Sequence, residues 1–287
     1  MTLFGPDEVE AAVPDLGETA RVSMVVAYDG SGFRGFAEQP SVPTVGGTLR
    51  QAIERVVRHP VELTCAGRTD AGVHAWGQVV SFDVRAEGFE PLALRDALNK
   101  LCRPAIAVRD VEVAPVGFDA RFSATARGYR YTILNRDVPD PFLARTAWHV
   151  AEPLDLRAMV LGCDPLIGEH DFSSFCRAPK VGAGQPPASM VRRVLDARWE
   201  ELDDGVLRFS IEGTAFCHQM VRSVVGTLVD VGRYRRHAGD VMSILRARDR
   251  EAASQPAPPH GLCLWRVRYP RQPGAPGRHG TVAGATP

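Results

Sequence analysis

Short β-rich runs recur along this chain more often than helical patterns do, and that ratio constrains its fold more than any other feature. A parallel neighbour needs a crossover connection, usually a helix, whereas an antiparallel neighbour needs only a turn. With strands outnumbering single crossovers, the expectation is an α+β protein with mostly antiparallel sheets. The spacing predicts strands over 21–28 (RVSMVVAY, closed by the turn signal Asp29-Gly30), 61–66, 78–83, 105–113, 128–135, 191–199, 206–212 and 262–269. Helical spacing is predicted over 44–58, 92–101, 154–166 and 240–248. The strongest pattern runs over 216–231, where Phe216, Met220, Val224 and Leu228 fall on one face. The pattern divides into a flexible acidic leader at 1–20, an α+β half at 21–115, a second at 116–270, and a Gly/Pro-rich tail at 271–287 expected to be disordered.

A chain of 287 residues can bury a large core, and no apolar run approaches the ~18–20 residues of a membrane span. The leader carries Asp7, Glu8, Glu10, Asp15 and Glu18 and no basic residue before Arg21. A secretory signal would begin basic and turn apolar, so a cytoplasmic protein is expected. None of the six cysteines forms a C-x-x-C pair, which predicts reduced core thiols and neither a zinc nor a redox site. The formal net charge of zero argues weakly against a nucleic-acid partner. Against that, the acidic leader masks a slightly basic body. Only Lys100 and Lys180 are lysines, and arginine is the better phosphate fork.

The stretch most suggestive of chemistry is CAGRTDAGVHAWGQVVSF, Cys65 to Phe82. Glycines on both sides of Asp70 allow a tight turn beside a guanidinium, Arg68, and an imidazole, His74. Asp-x-Gly is also a common Asx turn, and spacing alone favours that reading. A solitary carboxylate fits glycosidase chemistry poorly, because that chemistry normally needs a pair. Tyr129 and Tyr131 alternate on a predicted strand and share a face, where core packing competes with base stacking; for Tyr131 packing is the better reading. Arg222 falls within an apolar helical pattern, where a charge needs either solvent or a partner. His74 and His218 read as structural or hydrogen-bonding residues.

GRTDAGVHAWGQV closely resembles the signature loop of the TruA family of tRNA pseudouridine synthases, and the resemblance extends from Tyr28 to Pro270. YDGSGFRGF (28–36) is similar to the family's first motif, with Phe36 in place of the usual tryptophan. RFSATARGYRYTILN (121–135), DFSSF (171–175), AFCHQMVRSVVGTLVDVG (215–232) and APPHGLCLWRVRYP (257–270) resemble later segments.

The resemblance implies a pseudouridine synthase fold, two similar α/β halves flanking a central catalytic cleft. It implies Asp70 as catalytic nucleophile, Arg222 as its ion-pair partner and Tyr129 as a substrate contact, with Arg68 able to clamp a phosphate or fill the space left by a flipped nucleotide. The implied substrate is uridine at positions 38, 39 and 40 of the tRNA anticodon stem–loop, with a homodimer as the assembly. The implied isomerisation needs no metal, nucleotide or redox cofactor. Another RNA or a free uridine nucleotide is an alternative substrate for the same machinery. A catalytically dead RNA-binding module is a further alternative, but it would not need Asp70, Tyr129 and Arg222 together.

Overall fold

Val22, Met24 and Val26 alternate along β1 (Thr19–Tyr28) and are completely buried, so one face of this strand is core. In the computed structural model of the protein, residues 17–178 and 189–270 are described. The expected leader up to residue 16 and the expected tail at 271–287 lie outside them. Residues 19 and 20, read from sequence as leader, open β1.

After β1 come α1 (Val45–Val57), β2 (Thr64–Cys65), β3 (His74–Arg85), α2 (Pro91–Cys102) and β4 (Ile106–Val113). The second half contributes β5 (Ala126–Leu134), β6 (Trp148–His149), α3 (Leu156–Leu161), β7 (Gly168–Asp171), β8 (Val191–Glu201), β9 (Val206–Gly213), α4 (Met220–Gly232), α5 (Asp240–Ala247) and β10 (Leu262–Arg268). Thr44 caps α1 by accepting from the Gly47 amide, and Arg58 ends it in the left-handed region.

The strands form one mostly antiparallel sheet in the order β4-β1-β3-β10-β5-β9-β8-β7, with β2 on β3 and β6 on β5. The mixed α+β architecture and the antiparallel bias are as expected, but the two halves share a single sheet. Their junction is β10, which runs parallel to β3 at Cys263–His74 and Leu264–Ala75 and antiparallel to β5. The last strand of the described chain thus sits between the first half and the second. A single hydrophobic cluster spans both, from Leu49, Ile53, Leu94 and Leu98 on α1 and α2 to Val224, Val225 and Leu228 on α4.

Several boundaries move for physical reasons. The helix predicted from Phe216 begins at Met220, because Gln219 takes φ 65°, which helix cannot propagate. The pattern over 154–166 breaks at Gly162, and residues 164–166 form a separate 3₁₀ turn. β3 starts at His74, earlier than predicted, where pairing with β10 extends it. The reading of all six cysteines as reduced is corrected at one pair. Cys176 and Cys217, far apart in sequence and matching no short motif, are joined as a disulfide with Cα atoms 5.8 Å apart, while the other four are free.

Candidate active site

The Asp70 loop leaves β2 at Ala66 and returns at His74. Its shape is held by bonds from outside and one internal backbone turn, not by the Asx turn that spacing alone favoured: the Gly72 amide donates to Phe33 O at 3.4 Å. The Ala66 amide donates to Val79 O at 2.8 Å, Gln78 Nε2 donates to Gly67 O at 2.7 Å, and the Val73 amide donates to Asp70 O at 3.1 Å. The segment 28–36 lies directly against it. The Phe36 amide donates to Thr69 O, and the Tyr28 hydroxyl lies 2.8 Å from Thr69 Oγ1. Gly35, at φ +99°, would place a Cβ 2.8 Å from Thr69 O, and a Cβ on Gly30 would collide with Val73 O. These close approaches explain why YDGSGFRGF carries glycines at 30 and 35. Phe36 is buried, 6.3 Å centroid to centroid from Tyr28, with its ring against Gly46 at the start of α1.

Two side chains reach the Asp70 carboxylate, one from α4 and one from the turn before it. Arg222 Nη1 donates to Oδ2 at 3.5 Å, and His218 Nε2 lies 3.3 Å from Oδ1. The Arg222 side chain is 14% exposed, and its Nε donates to Ala257 O at 2.7 Å. The partner that a charge within an apolar helix needs is therefore supplied twice, by a carboxylate and by a carbonyl. The disulfide lies at this point: Cys217 precedes His218, and the Arg177 amide, next to Cys176, donates to His218 O at 3.0 Å.

Tyr129 on β5 is 9% exposed and stands edge-on to Phe216, 5.1 Å between centroids. Burial raises its hydroxyl well above the ordinary phenol range, with the Arg127 cation opposing and the Asp70 charge adding to the shift. The phenol therefore stays protonated at any physiological pH. A Cβ on Gly67 would lie 3.6 Å from its oxygen, so the hydroxyl faces the base of the Asp70 loop. Tyr131 has a different surrounding. It is fully buried and donates to Pro258 O at 2.8 Å, as packing would require. Arg68 is exposed and makes no ion pair with a described residue.

His74 has a different position from His218. Its Nδ1 accepts from the Gly30 amide at 3.1 Å, and its Nε2 faces the carbonyls of Arg145 and His260 at 2.8 and 3.1 Å. It joins the first motif to the segment preceding β10. The sequence reading treated the two histidines alike; only His218 meets Asp70. Arg127, Gln78 and Thr69 were not singled out from sequence. Arg127 carried a usable signal, since it alternates with Tyr129 on one strand face. Among the described residues no group of histidines, cysteines and carboxylates is arranged to hold a metal ion, and no helix is long and apolar enough to cross a membrane.

A buried tyrosine, an arginine-paired carboxylate and an exposed arginine form a site able to hold a planar base and present a charged oxygen to it. Comparisons with known proteins bear on the chain as a whole. A family profile described as tRNA pseudouridine synthase matches residues 24–123 and 163–270. The chain is 41% identical over 249 residues to tRNA pseudouridine synthase A of Brevibacillus brevis, covering 87% of this chain and 99% of the relative. It is 43% identical over 255 residues to the protein of the same name from Moorella thermoacetica, covering 86% and 99%. It is 39% identical over 256 residues to that of Bacillus subtilis, covering 87% and 99%.

Proposed function

The chain belongs to the tRNA pseudouridine synthase family, and we propose that it isomerises uridine to pseudouridine at positions 38, 39 and 40 of the tRNA anticodon stem–loop. The observation that carries this reading is the meeting of Asp70 with Arg222 beside Tyr129. The C1′–N1 bond breaks, the uracil turns, and a C1′–C5 bond forms; C5 loses a proton and N1 gains one. Atoms and electrons balance within the substrate, so the chemistry calls on no redox partner.

Asp70 serves as the nucleophile in this reading, and Arg222 pairs with its carboxylate. A target uridine must leave its stack to reach a carboxylate recessed between two motifs. The Tyr129 ring supports the extruded base, and its protonated hydroxyl can donate at the ring edge. Arg68, exposed on the same loop, is free to take a phosphate or occupy the vacated stack. A homodimer with tRNA lying across both subunits, and a cytoplasmic location, complete the proposal.

The test is direct. The protein is incubated with an unmodified tRNA transcript and, separately, with UMP, and pseudouridine is mapped in the products. Pseudouridine at 38–40 of the tRNA and none from UMP supports the reading. Conversion of UMP, or modification confined to another position or RNA, replaces it.

A further inference from the structure

Arg127 has an unusual set of partners for a half-buried cation. Its Nε and Nη2 donate to Ala66 O at 3.1 and 3.0 Å, Nη1 to Ala124 O at 3.2 Å and Thr214 O at 2.8 Å, and Nη2 also to Arg121 O at 2.5 Å. All its donors end on main-chain carbonyls, and no described carboxylate pairs with it. Burial lowers its affinity for a proton, the direction expected of a cation without a counter-charge. A surface arginine would not be held this way. A guanidinium here is a planar clamp with fixed directions, which an ammonium cannot reproduce.

The clamped carbonyls belong to the segments that build the site. Ala66 is the stem from which the Asp70 loop departs. Thr214 follows β9 and leads through Phe216, the neighbour of Tyr129, into α4, which carries Arg222. Arg121 and Ala124 lead into β5, which carries Tyr129. We propose that Arg127 is a positioning residue that locks the stem of the Asp70 loop to the stem of α4, and so fixes the distance at which Asp70 and Arg222 meet. Asp70 and Arg222 are 152 residues apart, and their contact at 3.5 Å leaves little slack. A small relative slip of the two stems would misplace the reactive oxygen, and misplacement of about an ångström costs on the order of 100-fold in rate.

This inference rests on the pseudouridine synthase reading, and the test separates the two. Single-turnover pseudouridine formation and tRNA affinity are measured for the wild type, Arg127→Lys and Arg127→Ala, with thermal melting of each. Arg127→Lys keeps the charge and much of the stem but not the fork. It is expected to lose about 100-fold in rate while its tRNA Kd stays within about threefold, less than half a pK unit in free energy. Millimolar guanidinium is expected to restore part of the rate to Arg127→Ala, and methylammonium is not. A clamp that merely stabilised the fold would lower the melting temperature without giving a guanidinium-specific recovery.

Three results overturn the inference: a wild-type rate in Arg127→Lys, a rate loss matched by an equal loss of tRNA affinity, or equal rescue by methylammonium. If the Ala variant does not fold, the rate–affinity split of Arg127→Lys decides alone. Absence of pseudouridine from the wild type would instead remove the underlying reading.

Discussion

Arg222 stands between two acceptors, Asp70 Oδ2 at 3.5 Å and Ala257 O at 2.7 Å, and is held by both. Ala257 belongs to the segment before β10, and its amide in turn donates to Arg222 O at 2.9 Å. The carboxylate's partner is therefore itself fixed from the segment that leads into the strand joining the two halves of the sheet. An arginine serves both acceptors through separate nitrogens; a lysine offers one compact charge.

Arg222→Lys is accordingly expected to fold but to lose at least about 10-fold in kcat, a barrier increase of roughly 1.4 kcal/mol. Arg222→Ala leaves both the carboxylate and the Ala257 carbonyl without their donor, and stability should fall by about 1–3 kcal/mol. Denaturant unfolding and single-turnover kinetics separate the two effects. A lysine variant as fast as wild type would show that the paired geometry is dispensable.

Tyr129 and Tyr131 supply a matched comparison, two tyrosines on one strand face with different surroundings. Tyr131→Phe removes the donor to Pro258 O and should cost roughly 1–3 kcal/mol of stability with little change in turnover. Tyr129→Phe removes a hydroxyl that faces the Asp70 loop and should lose turnover with little change in melting temperature. Tyr129→Ala also removes the stacking surface and should be slower still. Thermal melting and pseudouridine formation on all three check the assignment, and reversed behaviour of the two Phe variants would contradict it.

How far these relationships were legible in the sequence depends on what kind of partner each residue has. Asp70, Tyr129 and Arg222 stand in contiguous motifs, so a resemblance could single them out. Periodicity located the five helices and the longer strands because burial of Val22, Met24 and Val26, or of Leu49 and Ile53, repeats locally, and it missed the short β6 and β7. Arg127 was invisible as a clamp because its partners are carbonyl oxygens, which every residue possesses. The union of the halves was hidden for a related reason. Pairing of β10 with β3 joins Cys263 to His74, a long-range contact to which local pattern contributes nothing. Cys176 and Cys217 meet only because the fold brings the turn after β7 against the start of α4.

Binding of tRNA should weaken steeply with salt although the formal net charge is zero. Local cations, not the overall balance, set phosphate affinity, and each neutralised phosphate contributes close to one unit of log–log slope on duplex. Arg34, Arg68 and Arg121 are exposed on segments that border the site. Titration of labelled tRNA at several salt concentrations measures the slope. Arg68→Gln should make it shallower by about one unit if the side chain holds a phosphate. A flat salt response in the wild type would mean that phosphate contacts do not carry binding.

The sharpest expectation concerns Asp70. If its loop were only a turn, asparagine would replace it without consequence, since asparagine offers the same turn oxygen and tolerates the same backbone angles. The loop is already held by Gln78, Tyr28 and Phe36 through Gly67 and Thr69, and an asparagine oxygen can still accept from Arg222. Asp70→Asn should therefore melt close to the wild type and bind tRNA, yet form no detectable pseudouridine, because the reactive anionic oxygen is gone. Asp70→Glu keeps the charge but displaces it by about an ångström, enough to cost roughly 100-fold or more. It also disturbs the present contacts of the carboxylate with the guanidinium and imidazole, 3.5 and 3.3 Å away. Affinity measured on the same preparations guards against mistaking a misfolded protein for an inactive one. Pseudouridine formation by Asp70→Asn at a rate near wild type would remove the carboxylate from the mechanism.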